Sequence, residues 1–291
     1  MKRILLAFAL WPVTVGAQTA EPLFDGISYR QIVRSGDQPM VAHVIALDLT
    51  RPGLRISVTP PDRSRGMEHV AQTVSVHLTA RRAQVAINAS YFLPFNGGSA
   101  KGEDYYPRAG DGAQVSGAAR GEGKQVSPVE IDQDLRVNAI LCIVRADIRI
   151  ADGQRCPART TDAVAAGPRL LTKGLATLLP PYDFSKPEAR GPRTAVGIAA
   201  DGRTAWLIVV DGRQAGYSMG ASLPELVELF REIGAADAIN LDGGGSAAMV
   251  VEGTGGAPRL LSRPIHTGIP GRERPVANHI TVFARPIGVR R

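Results

Sequence analysis

Residues 222–249 read SLPELVELFREIGAADAINLDGGGSAAM, and this stretch decides how the rest of the chain is read. Leu223, Leu226, Val227, Phe230 and Ile233 recur at three- and four-residue spacing, which predicts an amphipathic helix over 222–233. Ser222 stands at its N-cap with Glu225 three residues on, the pattern of a capping box, and Gly234 closes it. The apolar run 238–241 is too short for a helix and predicts a buried strand. Asp242 ends that strand, Gly243-Gly244-Gly245 form a sharp loop, and 246–251 resumes as another strand.

The same criteria place strands at 40–49, 54–59, 84–88, 129–131, 140–150 and 279–285, and a second helix at 70–82. Residues 194–199 and 204–210 flank Asp201-Gly202 as the two arms of a hairpin. Strands outnumber helices, and hairpins mix with helix-linked units. The expected fold is therefore α+β, a single domain with a mixed, mostly antiparallel sheet flanked by a few helices. Residues 94–123 contain eight glycines and predict a mobile surface loop, either a lid or a tolerated insertion.

The 291 residues are 44% hydrophobic and 21% charged, enough apolar material for a large core and against wholesale disorder. No heptad run or fixed-period repeat occurs. Residues 1–17 have a basic start, a short apolar stretch and small residues at the end, which predicts a secretory signal cleaved after Ala17. Losing Lys2 and Arg3 takes the formal net charge from +7 to +5. The remaining chain, 18–291, is expected outside the cytoplasm, secreted or periplasmic, without stable membrane insertion after cleavage. Its arginines are scattered, so a nucleic-acid stripe is unsupported; a preference for anionic substrates is the most the charge implies. In an oxidising compartment the two cysteines, Cys142 and Cys156, are expected to pair.

The chemistry concentrates at strand ends. Three successive glycines forgo packing but let backbone N–H groups approach an anionic oxygen, and Asp242 beside them is a candidate catalytic carboxylate. A tight turn with an Asx cap is the alternative. The loop lacks the Lys-Ser/Thr of a P-loop, and no Gly-x-Ser-x-Gly elbow is present. Arg193 follows Gly191-Pro192 and is placed either to grip a phosphate or to make a surface ion pair. Asp211 ends another apolar strand as a turn residue or a second carboxylate. Asn88 stands just past a third, as a turn former or a partner for a sugar hydroxyl. Capping explains Ser222 and Glu225 without catalysis, although a cap at a pocket rim serves both purposes. His43, His69, His77, His266 and His279 show no zinc-ligand spacing.

NASYF (88–92), GPRLL (167–171), RTAVGI (193–198), VVDGR (209–213), the 218–249 block and RPVANHITVF (274–283) occur in that order. Together they resemble the phosphodiester glycosidase family over about 41–283. Ala89 departs from the Gly that more usually follows this Asn. The resemblance implies hydrolysis of a sugar-1-phosphodiester at the anomeric carbon. It carries over Asn88, Arg193, Asp211, Asn240, Asp242, Ser246 and the three glycines. In this reading Asp242, Asp211 and Arg193 are catalytic. Asn88, Tyr91, Thr194, Glu225, Asn240, Gly243, Gly244, Gly245 and Ser246 bind substrate. The partner is a glycan or sugar phosphodiester, and an export signal favours exopolysaccharide or teichoic-type substrates. No cofactor is required; a divalent ion held by carboxylates is left open. The competing expectation is a non-catalytic exported glycan-binding protein on the same scaffold.

Overall fold

Apolar runs that alternate faces and short turn segments build most of this molecule. The computed structural model describes residues 16–17, 19–128, 136–177 and 187–288. Most of the expected signal and the strand at 129–131 lie outside the described residues. In chain order the main elements are β1 (Ile27–Arg34), β2 (Met40–Asp48), β3 (Arg55–Val58), α1 (Val74–Arg81), β4 (Val85–Asn88), β5 (Ala119–Gly121), β6 (Lys124–Ser127), β7 (Ala139–Val144) and β8 (Asp147–Asp152). There follow β9 (Asp162–Ala166), β10 (Arg169–Thr172), β11 (Arg193–Ala199), β12 (Thr204–Val210), α2 (Leu223–Ile233), β13 (Ala235–Asn240), β14 (Met249–Glu252), β15 (Pro258–Leu260) and β16 (His279–Phe283).

The largest sheet has the spatial order β1-β2-β12-β11-β13-β10, extended by short strands at both edges. Two smaller sheets run β15-β14-β4-β16-β3 and β6-β5-β9-β7-β8. Every pairing between these strands is antiparallel. The mostly antiparallel sheet is as expected, whereas the α+β class and its mixed sheet are corrected to a mostly-β architecture with two α-helices among the described residues. The reason lies in the one helix-linked unit. β12 and β13, joined through α2, point the same way, but β11 inserts between them and pairs with both. The two parallel strands never meet.

Period-two alternation makes the large sheet a central layer. On β12, Leu207 and Val209 face a core shared with Ile56, Val85, Leu141 and Val282 of the smaller sheets. Ile208 and Val210 face the other way, against Leu226 and Phe230 of α2. Gly197 permits that helix contact: a Cβ there would lie 2.5 Å from the Phe230 ring. Helix α1 covers a smaller sheet, Val74 and Leu78 packing on Ala86 and Val250. Cys142 of β7 and Cys156, just beyond β8, form a disulfide.

The Gly-rich stretch is in part a surface loop: most of 94–111 is irregular and exposed, and 112–121 is drawn into strands. Gly112–Val115 pairs with His69–Val70 and Phe92–Leu93, and Tyr105, Ala113 and Val115 are buried. Apolar residues interspersed among the glycines stitch this segment into the body. No helix of the described residues is long and apolar enough to cross a membrane.

Candidate functional site

Antiparallel pairing fixes where functional side chains collect. β11 begins where β12 and β13 end, Arg193 opposite Val210 and Ala195 opposite Asn240. In the facing sheet, β4 ends where β16 begins, Asn88 opposite His279. Arg193, Arg213, Asp242 and Arg274 therefore reach the same end of the sandwich, where they line a pocket of about 670 Å³. Arg193 and Asp242 are brought together as the sequence suggested.

Asp242 is fixed from behind. Its N–H donates to the Ala89 carbonyl at 3.0 Å, and its own carbonyl accepts from Asn88 Nδ2 at 2.6 Å. Asp242 as a residue is half-buried at the pocket wall. Burial nevertheless pushes its pKa up to about 6, against the opposing pull of Ser246, Arg274, Arg136 and the Gly243 amide. An acid with that pKa is mostly ionised at neutral pH yet basic enough to take a proton.

Each glycine of the loop has its own necessity. A Cβ on Gly243 would stand 2.7 Å from the Pro192 carbonyl oxygen. Gly244 adopts φ 61, in the left-handed region. A Cβ on Gly245 would meet Arg274 Nη2 at 2.4 Å. The expectation of three bare amides is narrowed: the Gly244 N–H donates to Pro192 O at 2.9 Å. The Gly245 N–H donates to no acceptor among the described residues.

Asn88 and Thr194 are fully buried and belong to the scaffold instead of the pocket wall. Asn88 Oδ1 accepts from Thr194 Oγ1 at 2.7 Å and from the Ala248 N–H at 3.2 Å, tying the two sheets together behind Asp242. Their assignment to substrate contact is corrected on that ground: neither lines the pocket, and each polar side-chain atom already has a partner in the scaffold. Asn240 and Tyr91 do line the pocket. Asn240 Nδ2 donates to the Tyr91 hydroxyl at 3.0 Å and to the Gly167 carbonyl at 2.9 Å. Asn240 Oδ1 is buried with no donor among the described residues.

Arg193 anchors itself through Nε to Ala221 O at 3.0 Å and Nη2 to Ala189 O at 2.8 Å. Burial lowers its pKa, and Arg213 adds to the effect. Burial likewise lowers that of Arg213, with Arg274 adding repulsion. Arg274 reaches Ser246 Oγ at 3.3 Å and lies over the rings of Phe95 and Tyr105. Arg136 stacks on Tyr91, 4.3 Å from its centroid. Arg136, Arg213 and Arg274 were not singled out by sequence reasoning. Two of them stand within quoted blocks, VVDGR and RPVANHITVF, whereas Arg136 carries no local signal.

Asp211 and Glu225 are elsewhere. Asp211 does not line the pocket: its Oδ2 accepts from His43 Nε2 at 2.9 Å and Tyr217 OH at 2.8 Å, and its Oδ1 from the Arg263 N–H at 2.8 Å. The expected second carboxylate is thus a buried anchor of the β12 terminus. Glu225 completes the capping box with Ser222 and pairs with Arg190, so it too is removed from substrate binding. Among the described residues no group of three or more His, Cys, Asp or Glu is disposed to hold a metal ion.

Comparison with known proteins bears on this geometry. No curated protein matches the chain in sequence. The catalytic domain of zebrafish N-acetylglucosamine-1-phosphodiester alpha-N-acetylglucosaminidase, auto-inhibited by its pro-peptide, shares the fold with TM-score 0.64 and 20% identity, over 94% of this chain and 89% of that one. A hypothetical protein from Synechocystis superposes with TM-score 0.58 and 18% identity. This chain is covered over 90% of its length in that match but spans only 62% of the Synechocystis protein. The family model for phosphodiester glycosidases matches residues 81–283, which takes in every lining residue named above. The chain belongs to the phosphodiester glycosidase family.

Proposed function

We propose that this protein is an exported glycosidase that hydrolyses a sugar-1-phosphodiester at the bond between the anomeric carbon and its oxygen. The observation that carries the reading is that, among the described residues, one carboxylate, Asp242, is set among four guanidiniums in one pocket. An ordinary glycoside needs an acid to protonate its leaving group, and retaining or inverting enzymes supply two carboxyl groups for the task. A phosphate ester leaves as an anion. Arginines that meet its charge as the bond breaks take over the acid's part, which fits a pocket whose described lining holds one carboxylate.

In the reaction, water adds to C1 as the C1–O bond breaks. Asp242 takes the proton from water, and the phosphomonoester departs with the bonding pair against Arg193 and Arg274. The free Gly245 amide points to the same anion, and Asn240 Oδ1 provides an acceptor for a sugar hydroxyl. Leaving that oxygen unpaired costs about 1–3 kcal/mol, which a hydroxyl recovers. Exopolysaccharide or teichoic-type glycans are the expected substrate class, given the proposed export. The test is release of reducing sugar from defined sugar-1-phosphodiesters, with and without chelator. Binding without turnover across the whole panel would instead establish the glycan-binding reading.

A further inference from the structure

Among the described residues the Arg213 guanidinium has no structural duty. Arg193 is committed to two backbone carbonyls, and Arg274 to Ser246, His266 and two aromatic faces. Among the described residues nothing accepts a hydrogen bond from the Arg213 guanidinium, although it sits at the pocket wall. Its placement is nonetheless enforced. The backbone at Arg213 is left-handed, φ 57, a conformation costly for a side-chain-bearing residue. Two residues before it, Asp211 is held by His43, Tyr217 and the Arg263 N–H, which fixes the start of the turn. The guanidinium then lies over the glycine loop, 3.4 Å from where a Gly244 Cβ would be.

The charge balance points outward as well. Arg136 is partnered and is left out of the reckoning. Among the described residues the other three arginines face one carboxylate, Asp242, an excess of two positive charges. A phosphodiester carries one negative charge, so Arg213 would remain uncompensated beside Arg193 and Arg274. We infer that the substrate bears a second anionic group on its sugar, a carboxylate or a phosphate, and that Arg213 pairs with it. This rests on the hydrolase reading for the position of the first phosphate, while charge preference is measurable without turnover.

The probes are three uncleavable C-glycosidic phosphonate methyl esters, those of glucose, glucuronic acid and glucose 6-phosphate, titrated calorimetrically into the whole protein. At least one acidic analogue should bind tenfold or more tighter than the glucose analogue, as expected for a charged hydrogen-bonded pair. The tighter of the two identifies carboxylate or phosphate as the group. In Arg213→Gln the preference should shrink to about twofold, and Arg213→Lys should retain part of it; melting curves confirm that both fold. Affinities within twofold across all three analogues in the wild type would overturn the inference, as would a preference undiminished in Arg213→Gln. Cleavage of the matching diesters is followed separately. Turnover with no charge preference defeats this inference alone, and charge preference with no turnover defeats the hydrolase reading alone.

Discussion

Replacing Asp242 by Asn should make the protein more stable and inactive at once. Burial holds the native pKa at about 6, against the ordinary 3.8. At about 1.4 kcal/mol per unit, ionising this group in the folded state costs up to about 3 kcal/mol. Because Asp242 as a residue is only half-buried, about 2 kcal/mol is the working figure. The sign follows from proton binding. Between pH 4 and 6 the native state holds a proton that the unfolded chain has released, so wild-type stability falls as pH rises through that window and is flat above it. Asn cannot ionise and does not pay this cost. At pH 8, Asp242→Asn should therefore melt about 4 °C above wild type, taking ~2 °C per kcal/mol for a chain of this size. At pH 4 the two should melt within about 1 °C of each other. Hydrolysis should fall by about 10²–10⁴, the usual contribution of a positioned base. Wild-type kcat/KM should rise with pH through an inflection near 6. Calorimetric melts at the two pH values read the first effect, and a pH–rate profile reads the second. A variant that melts below wild type at pH 8 would show a net stabilising carboxylate and refute the electrostatic argument. One that retains activity would remove Asp242 from the chemistry.

Arg274→Gln removes a cation that holds the Asp242 pKa down, so the acid limb of the pH–rate profile should move above about 6 while overall rate declines. Gly243→Ala and Gly197→Ala form an informative pair. The first drives a methyl to 2.7 Å from Pro192 O at the pocket; the second drives one to 2.5 Å from Phe230, on the helix face. Each should cost about 1–3 kcal/mol in denaturant melts, but only Gly243→Ala should also lose activity at temperatures where both are folded. Opening the disulfide as the Cys142→Ser/Cys156→Ser double variant releases a loop of sequence separation 14 and should lower stability by about 3 kcal/mol in a urea titration. Loss of less than about 1 kcal/mol would mean that the unfolded chain gains little freedom there.

Local patterns were readable where one element explains its own residues. The 222–233 helix, its capping box and Gly234 appear where the spacing of Leu223, Leu226, Val227 and Phe230 puts them. The 194–210 hairpin likewise turns at Asp201-Gly202, with Gly202 at φ 67. Sheet membership was less readable. β1 mixes half-buried and buried positions and carries the polar Ser28, Arg30 and Gln31, so it offers no continuous apolar run. β9, DAVAA, is buried throughout but too short and small to announce itself. Nothing local reveals that β11 separates β12 from β13, because insertion of a strand is a property of the whole sheet. The Gly-rich stretch misled for a related reason. Glycine frequency reports chain freedom, whereas Tyr105, Ala113 and Val115 find burial only when distant segments close over them.

The Asp-Gly-Arg segment after β12 shows why a motif can mark a site while its members are misassigned. A carboxylate at a strand end is equally suited to chemistry or to anchoring, and sequence does not reveal which direction it turns. Here Asp211 turns inward to His43. A carboxylate only accepts hydrogen bonds, so His43 Nε2 donates to Asp211, while Nδ1 lies 2.9 Å from Tyr29 OH. With both oxygens satisfied, Asp211 has nothing to offer a substrate. That satisfaction is also what makes the neighbouring turn rigid enough to hold Arg213 at a left-handed φ over the glycine loop. The anchored acid and the unanchored base are thus two halves of one device. Asp211→Asn should affect the pocket through the position of Arg213, and the expected readout is a weakened response to ligand charge with the Asp242 inflection near pH 6 left in place. A shift of that inflection would show that Asp211 acts on the reacting centre directly, and the division of labour argued for these two residues would fail.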